Sequence, residues 1–285
     1  MPDLVAHFND LLESHRRWTI ITGAGVSADS GIPTYRDARG KWLGSNPIQH
    51  QEFLRDPGAR RRYWSRSVRG WPGVRDAAPN PVHLALTRFE QLGHLELLIT
   101  QNVDRLHQRA GTNKVVDLHG RLDRVICLHC GADESRERVQ QRLERINPTH
   151  DWRPGTLRPD GDSELPGSVV EQIKITPCPH CEGVLMPDVV FFGGSVPRSR
   201  VQQCEQAIAT SDAVLVLGSS LQVYSGYRFC KRAHQLEKPI VILNNGVTRA
   251  DALATLKIPT NAMQTFINAV DTLMMQHADK RNLHG

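Results

Sequence analysis

The sequence holds 285 residues, with 35 Lys and Arg against 30 Asp and Glu for a formal net charge of +5, and 39% of it is hydrophobic. A chain of that size buries one large core or two unequal ones, which excludes disorder as its main state. The longest apolar runs, Ala213–Leu217 and Ile240–Leu243, fall far short of the ~18–20 residues that cross a bilayer, and residues 1–10 carry neither a secretory nor a transit pattern; a cytoplasmic protein is expected.

Residues 4–15 repeat apolar side chains at a helical period (Leu4, Val5, Phe8, Leu11, Leu12). Trp18–Thr22 then reads as a buried strand that runs into Gly23-Ala24-Gly25-Val26-Ser27-Ala28. Residues 41–80 break the pattern: Trp42, Tyr63, Trp64 and Trp71 stand among prolines, glycines and the run Arg60-Arg61-Arg62 with Arg66 and Arg69. They read as an inserted helical module. The run itself is a solvated helix face, a nucleic-acid patch or an anion-reading pocket.

Beyond it, helical patterns at residues 81–92, 201–211 and 224–236 alternate with strands at Leu95–Thr100, residues 115–118, Ala213–Leu217 and Ile240–Leu243. Alternation of this kind predicts an α/β fold, a Rossmann-like parallel sheet with helices on both faces. The remaining segment, 127–183, is bounded by cysteine pairs, and its residues 147–168 lack any period, so it reads as a loop-rich insertion. The expected division is a large part from 1–40, 86–122 and 184–285 and a smaller zinc-binding, helical part from 41–85 and 123–183.

Cys127-Leu128-His129-Cys130 and Cys178-Pro179-His180-Cys181 lie 47 residues apart. Two such knuckles suit one tetrahedral Zn2+ held by four thiolates, with no open position and therefore a structural role. Two redox dithiols or four unrelated buried thiols are the alternatives. Cys204 and Cys230 stand alone in helical segments.

Gly23-x-Gly25-x-x-Ala28 after a strand is the setting of a dinucleotide-binding turn, because glycines let backbone N–H groups approach a pyrophosphate. Asp29-Ser30-Gly31-Ile32-Pro33 follows. Pro33 hinders a long helix, and no acidic residue ends a second strand at the dehydrogenase spacing of about 20 residues. An ordinary dehydrogenase is disfavoured. Gln101-Asn102-Val103-Asp104, His119-Gly120, Gly218-Ser219-Ser220 and Asn244-Asn245-Gly246 each follow a strand, so they converge on the crevice where parallel sheets bind ligands. A histidine there suits a general base, against the plainer reading of a structural or solvent-facing residue.

Taken in order, Gly23 through Pro33 with Tyr35-Arg36-Asp37, Thr100 through His107, His119-Gly120, both cysteine pairs, Pro187 through Gly193, Gly218-Ser219-Ser220 and Asn244 resemble the sirtuins, NAD-dependent protein-lysine deacylases. Tyr63-Trp64, Gly70-Trp71-Pro72, Pro79-Asn80-Pro81 with His83 and the insertion from Asn147 to Asp162 resemble class II of that family. The resemblance implies that the acyl-lysine carbonyl oxygen attacks C1′ of the nicotinamide ribose, nicotinamide leaves, and the acyl group ends on ADP-ribose. His119 would be the general base on the ribose hydroxyls and Asn102 would orient ribose and water. Gln101 would bond the ribose and Asp104 the carboxamide. Ala24, Gly25, Ser27, Arg36, Ser219 and Ser220 would meet phosphates or nearby ribose, with Asn244 and Ala262 toward the adenosine. Gly23, Asp29, Pro33, Tyr35, Val103, Gly218, Asn245 and Gly246 complete the cofactor-binding set.

Residues 190–193 (Val190, Phe191, Phe192, Gly193) and 221–224 would sandwich the acylated-lysine substrate as an added strand. The implied protein is a monomer that takes protein substrates rather than nucleic acid. Its alternative activity is protein mono-ADP-ribosylation. Gly194-Ser195 replaces an acidic residue that many relatives carry, and Tyr35 replaces a phenylalanine. Tyr63-x-x-Arg66 is similar to the pair with which desuccinylating sirtuins hold an acyl carboxylate, since i and i+3 share a helix face. Arg153 and Arg158 in the insertion belong either to an acyl-pocket lid or to a surface loop.

Overall fold

The computed structural model describes residues 2–37, 39, 41–43, 47–150, 152, 158, 161–163 and 165–282. Arg153 and most of the segment around it lie outside the described residues. In chain order the elements are α1 (Pro2–Ser14), β1 (Trp18–Thr22), α2 (His50–Arg55), α3 (Pro57–Asp76), α4 (Pro81–Gln91), β2 (Leu95–Thr100), α5 (Leu106–Arg109), β3 (Val115–Asp117), β4 (Gly120–Cys127), β5 (Asp133–Ser135) and α6 (Arg136–Ile146). There follow α7 (Gly167–Gln172), β6 (Leu185–Val189), α8 (Arg198–Thr210), β7 (Ala213–Leu217), α9 (Tyr224–Gln235), β8 (Ile240–Leu243), β9 (Leu256–Ile258) and α10 (Ala262–Asn282).

Six strands form a parallel sheet in the order β3-β2-β1-β7-β8-β9. The order reverses between β1 and β7, and a parallel sheet opens its ligand crevice beyond the carboxyl ends at such a point. Every residue of β1, β7 and β8 is buried, as expected of strands covered on both faces. On one face Phe8 and Leu12 of α1, Leu86 and Phe89 of α4, and Phe266 and Val270 of α10 pack against Ile20 and Leu215. On the other, Cys204 and Ile208 of α8 and Phe229, Cys230 and Ala233 of α9 cover Ile21, Val214 and Val216. Each such aliphatic or aromatic side chain contributes about 1.5–3 kcal/mol on burial. Cys204 and Cys230 are core side chains whose burial pushes both thiols up to about 12.

The second unit is a three-stranded antiparallel sheet, β5-β4-β6, packed against α2, α3 and α6 through Phe53, Trp64, Val125, Val139, Leu143 and Leu185. Asp56 caps α3 by accepting from Gly58 N at 2.7 Å, with Pro57 in the first turn. The helical insert shows in the sequence, but this sheet does not. Residue 184, the expected start of the third stretch of the large part, stands just before β6, which pairs with β4 in the small sheet. Ile32, Trp71, Val74, Leu106 and Leu122 join the two units.

Candidate active site

The turn after β1 and the turn after β7 touch. Gly25 N donates to Gly218 O at 2.9 Å. A Cβ on Gly23 would stand 2.8 Å from Ser219 and one on Gly25 2.8 Å from Gly218 O, so both positions demand glycine. In place of a long helix, two 3₁₀ turns, Ala24–Val26 and Ala28–Ser30, lead to Pro33. Asn80, which also caps α4, holds this loop by donating to Val26 O (2.8 Å) and Ser30 Oγ (3.0 Å).

A cavity of about 860 Å3 opens above these turns, between the two units. Of the residues expected to meet the dinucleotide, Gly23, Ala24, Gly25, Tyr35, Arg36, Gln101, Asn102, Val103, Gly218, Ser219, Ser220, Asn244 and Asn245 line it. Ser27 and Asp104 lie buried just beneath. Asp29 and Pro33 are exposed, and Gly246 is half-buried; none of the three is on the cavity wall. Ala262 is fully buried, and Met263 beside it reaches the wall instead. Asn245 Oδ1 accepts from Ala262 N at 3.2 Å, so this amide starts α10. Tyr35 stacks on Trp42 with ring centroids 5.4 Å apart, and Arg36 lies over the same indole at 5.1 Å.

One network fixes the polar floor. Asn102 Nδ2 donates to Gly23 O and Ser27 Oγ, both at 3.0 Å. Ser27 Oγ donates to Asp104 Oδ2 at 2.7 Å, and Asp104 Oδ1 accepts from Leu106 N at 2.9 Å. Burial raises the Asp104 carboxyl, and the Leu106 amide and Ser27 hydroxyl oppose that rise. Gln101 Nε2 donates to Thr22 O (3.1 Å) and Ser219 Oγ (2.8 Å), tying the ends of β1, β2 and β7 together.

His119 follows β3 and stands on the cavity wall. Its Nδ1 lies 3.1 Å from Gln101 O and its Nε2 2.7 Å from Ser225 Oγ. Burial lowers it to about 4, the Gln101 carbonyl opposing and the charge of Arg200 assisting, so the ring is neutral at pH 7. Ser225 carries no sequence signal of its own.

Behind the floor, His107 Nε2 meets Thr22 Oγ1 at 3.0 Å, and the His83 and His107 rings lie 4.8 Å apart. Burial lowers His83 to about 4 and His107 well below its ordinary value. Both imidazoles are neutral when folded and take up protons once unfolded, so stability is full above pH ~6.5 and falls as pH drops toward 4. His83 is expected to remove about 2 kcal/mol between pH 6.5 and 4.5, and His107 acts in the same direction. Denaturant melts at the two pH values check this, with a shallower loss in His83→Asn; equal slopes would contradict it.

Cys127, Cys130, Cys178 and Cys181 bring their sulfurs within 4.8 Å of one another. The pairs Cys127–Cys181 and Cys130–Cys178 are 3.5 and 3.8 Å apart, and a tetrahedron with Zn–S bonds of ~2.3 Å has edges near ~3.8 Å. The cluster thus fits a zinc ion. Both knuckles turn alike: Gly131 N donates to Cys127 O and Glu182 N to Cys178 O, with φ of 73° at Gly131 and 58° at Glu182. A Cβ on Gly183 would stand 3.1 Å from two of the sulfurs. Amides of Cys130 and His129 lower the Cys127 thiol toward the thiolate that a metal needs.

Val190, Phe191, Phe192, Gly193 and Tyr63 also line the cavity. Tyr63 and Phe191 meet edge to face at 5.3 Å, and Val190 N donates to His119 O at 2.8 Å. Arg66 is off the wall, paired with Asp162 of the insertion at 2.8 Å, and Asp162 itself lines the cavity. Gly70 lets that insertion approach, since a Cβ there would stand 2.4 Å from Gly161 O. Arg66 therefore belongs to an internal ion pair rather than to a solvated face. No helix among the described residues is long and apolar enough to cross a membrane.

The sequence matches the Sir2 family over residues 23–225. It is 49% identical over 255 residues to an NAD-dependent protein deacetylase of Xanthomonas axonopodis pv. citri, covering 90% of this chain and 87% of that one. It is 44% identical over 260 residues to the bovine mitochondrial NAD-dependent protein lipoamidase sirtuin-4, covering 90% and 82%. A solved structure described as Sir2-p53 peptide-NAD+ superposes with a TM-score of 0.75 at 29% identity, covering 94% of this chain and 98% of that one. With a match that spans both cysteine pairs and most of the cleft, the chain belongs to the Sir2 family.

Proposed function

We propose that this protein removes acyl groups from protein lysines at the expense of NAD, releasing nicotinamide and leaving the acyl group on ADP-ribose. The observation that carries the reading is His119, its Nδ1 held by Gln101 O, lining one cavity with Gln101, Asn102 and two glycine turns in contact. NAD supplies the electrophilic ribose carbon and the ADP-ribose acceptor. The turns Gly23–Ser27 and Gly218–Ser220 bring Ala24, Ser219 and Ser220 to the cavity wall for the phosphates, while the N–H groups of Gly25, Val26, Ser27 and Gly218 hold the turns themselves together. Gln101 and Asn102 orient the ribose, and the Asp104–Ser27 pair receives the carboxamide. His119 Nε2 takes the proton from a ribose hydroxyl. The acylated peptide enters as a strand between residues 190–193 and 221–224, held by its backbone and therefore with little sequence demand.

The experiment is incubation with acetyl-, lipoyl- and glutaryl-lysine peptides, with and without NAD. Loss of acyl group only with NAD, matched by nicotinamide, supports the proposal; loss without NAD overturns it. Protein mono-ADP-ribosylation, the second use of the same chemistry, would appear as a mass gain on the protein.

The acyl preference follows from Arg66. An acidic acyl group reaches its guanidinium by displacing Asp162, so removing that carboxylate opens the site. Asp162→Ala is expected to raise kcat/KM for glutaryl- relative to acetyl-lysine about tenfold, the scale of one charge-assisted hydrogen bond. Arg66→Ala is expected to erase the difference. An acyl profile unchanged in both variants would remove Arg66 from substrate selection.

A further inference from the structure

We infer that Ser225 is a positioning residue for His119: its hydroxyl holds the Nε2 lone pair toward the cleft, where the hydroxyl to be deprotonated arrives. This deepens the proposed function and rests on it. Gln101 O, 3.1 Å from Nδ1, is a carbonyl with no proton to give, so Nδ1 carries the hydrogen. A neutral ring then keeps its lone pair on Nε2, and Ser225 Oγ, 2.7 Å away, is the donor. Both ring nitrogens are therefore assigned by their partners.

The grip is built into the packing. Ser225 is the second residue of α9, and the next residue, Gly226, presses on Gln101: a Cβ there would stand 2.5 Å from Gln101 Oε1. The residue whose carbonyl orients Nδ1 thus also backs the helix turn that delivers the hydroxyl to Nε2. His119 and Ser225 both line the cavity, so the hydrogen bond lies at its wall. Of the charges around the ring, Arg200 acts on it to favour the neutral form. Arg200 of α8 and Arg124 of β4 share Asp188 of β6, Asp117 of β3 pairs with Arg105, and Arg228 of α9, one turn beyond Ser225, lines the cavity and lies over the Tyr224 ring.

A donor on Nε2 stabilises the neutral ring and opposes its protonation. As the reacting hydroxyl replaces Ser225 at Nε2, the imidazole is already in the tautomer and orientation that accept the proton. The proton then moves from that hydroxyl to Nε2, leaving a ring protonated on both nitrogens, with Gln101 O still holding Nδ1–H.

The test is a titration of His119 by NMR in the free protein, together with the pH dependence of kcat/KM for NAD. In Ser225→Ala the His119 pKa is expected to rise by about 0.5–1 unit, the acid limb of the rate profile to move the same way, and kcat to fall about fivefold. Ser225→Thr, which keeps the hydroxyl, is expected to restore all three. A His119 titration unchanged in Ser225→Ala, or a nitrogen spectrum with the proton on Nε2, would overturn the inference. The titration needs no turnover, so it decides the role of Ser225 even if the wild-type protein fails to deacylate, an outcome that counts against the proposed function alone.

Discussion

Replacing His119 by alanine is expected to lower kcat for deacylation by about 10²–10⁴-fold, the usual contribution of a positioned general base, while leaving the fold intact. The side chain makes two hydrogen bonds, to Gln101 O and Ser225 Oγ, and lines a cavity rather than filling a core. Its removal leaves no buried charge unpaired, and the melting temperature should change little. Because burial holds His119 near pH 4, the base is neutral throughout the physiological range. For the wild type, kcat/KM for NAD should persist as pH drops below the ordinary histidine value of about 6.5 and decline only toward 4. Steady-state kinetics with a circular-dichroism melt checks both parts. Turnover within tenfold of wild type would take the base role away from His119.

Loss of the metal is expected to have the second large effect, although no zinc chemistry is invoked in the reaction. Structural zinc contributes about 10–16 kcal/mol in isolated zinc-finger peptides, comparable to the whole stability of a domain. Here Cys127 and Cys178 belong to the same buried cluster as Phe53, Tyr63 and Phe191, of which Tyr63 and Phe191 line the cavity. From the second knuckle the chain runs through β6 directly to Val190, whose amide is bonded to His119 O. Cys178→Ser, or prolonged chelation, should therefore release about one zinc per chain, melt the small unit first and reduce deacylation more than about tenfold. Metal analysis beside activity measures it, and a zinc-free protein of full activity would contradict it.

What the sequence shows and hides follows from how each element is buried. Strands β7 and β8 are apolar without interruption and β1 and β2 are nearly so, and the glycines, amides and hydroxyls beyond them stand out as breaks, so the middle of the sheet and the cleft are legible, whereas the three-residue edge strand β9, Leu256-Lys257-Ile258, is too short and too polar to show. Strand β4 is not, because Arg121, Asp123 and Arg124 crowd it and its pairing with β6 shifts register between Gly120 and Val125. Helix α6 hides for a related reason: beside Val139 and Leu143, its buried face carries Arg136 and Gln140. Arg136 lies between Trp64 and Trp71, at 5.3 and 5.5 Å from their ring centres, a burial that no apolar period announces.

Within the site, side chains whose role depends on a neighbour distant in sequence are the ones missed. Ser225 matters through a histidine 106 residues earlier, and Asp162 through its ion pair with Arg66. Asn245 reads as a ligand contact, yet it also caps α10. The cysteine pairs were legible because their spacing states the metal geometry directly.

The most direct measurement is the identity of the products formed from an acyl-lysine peptide and NAD, read by mass spectrometry in one reaction. The account predicts free lysine peptide, nicotinamide and O-acyl-ADP-ribose in equal amounts. A free carboxylic acid released without consumption of NAD, or ADP-ribose attached to the peptide with its acyl group intact, would contradict it.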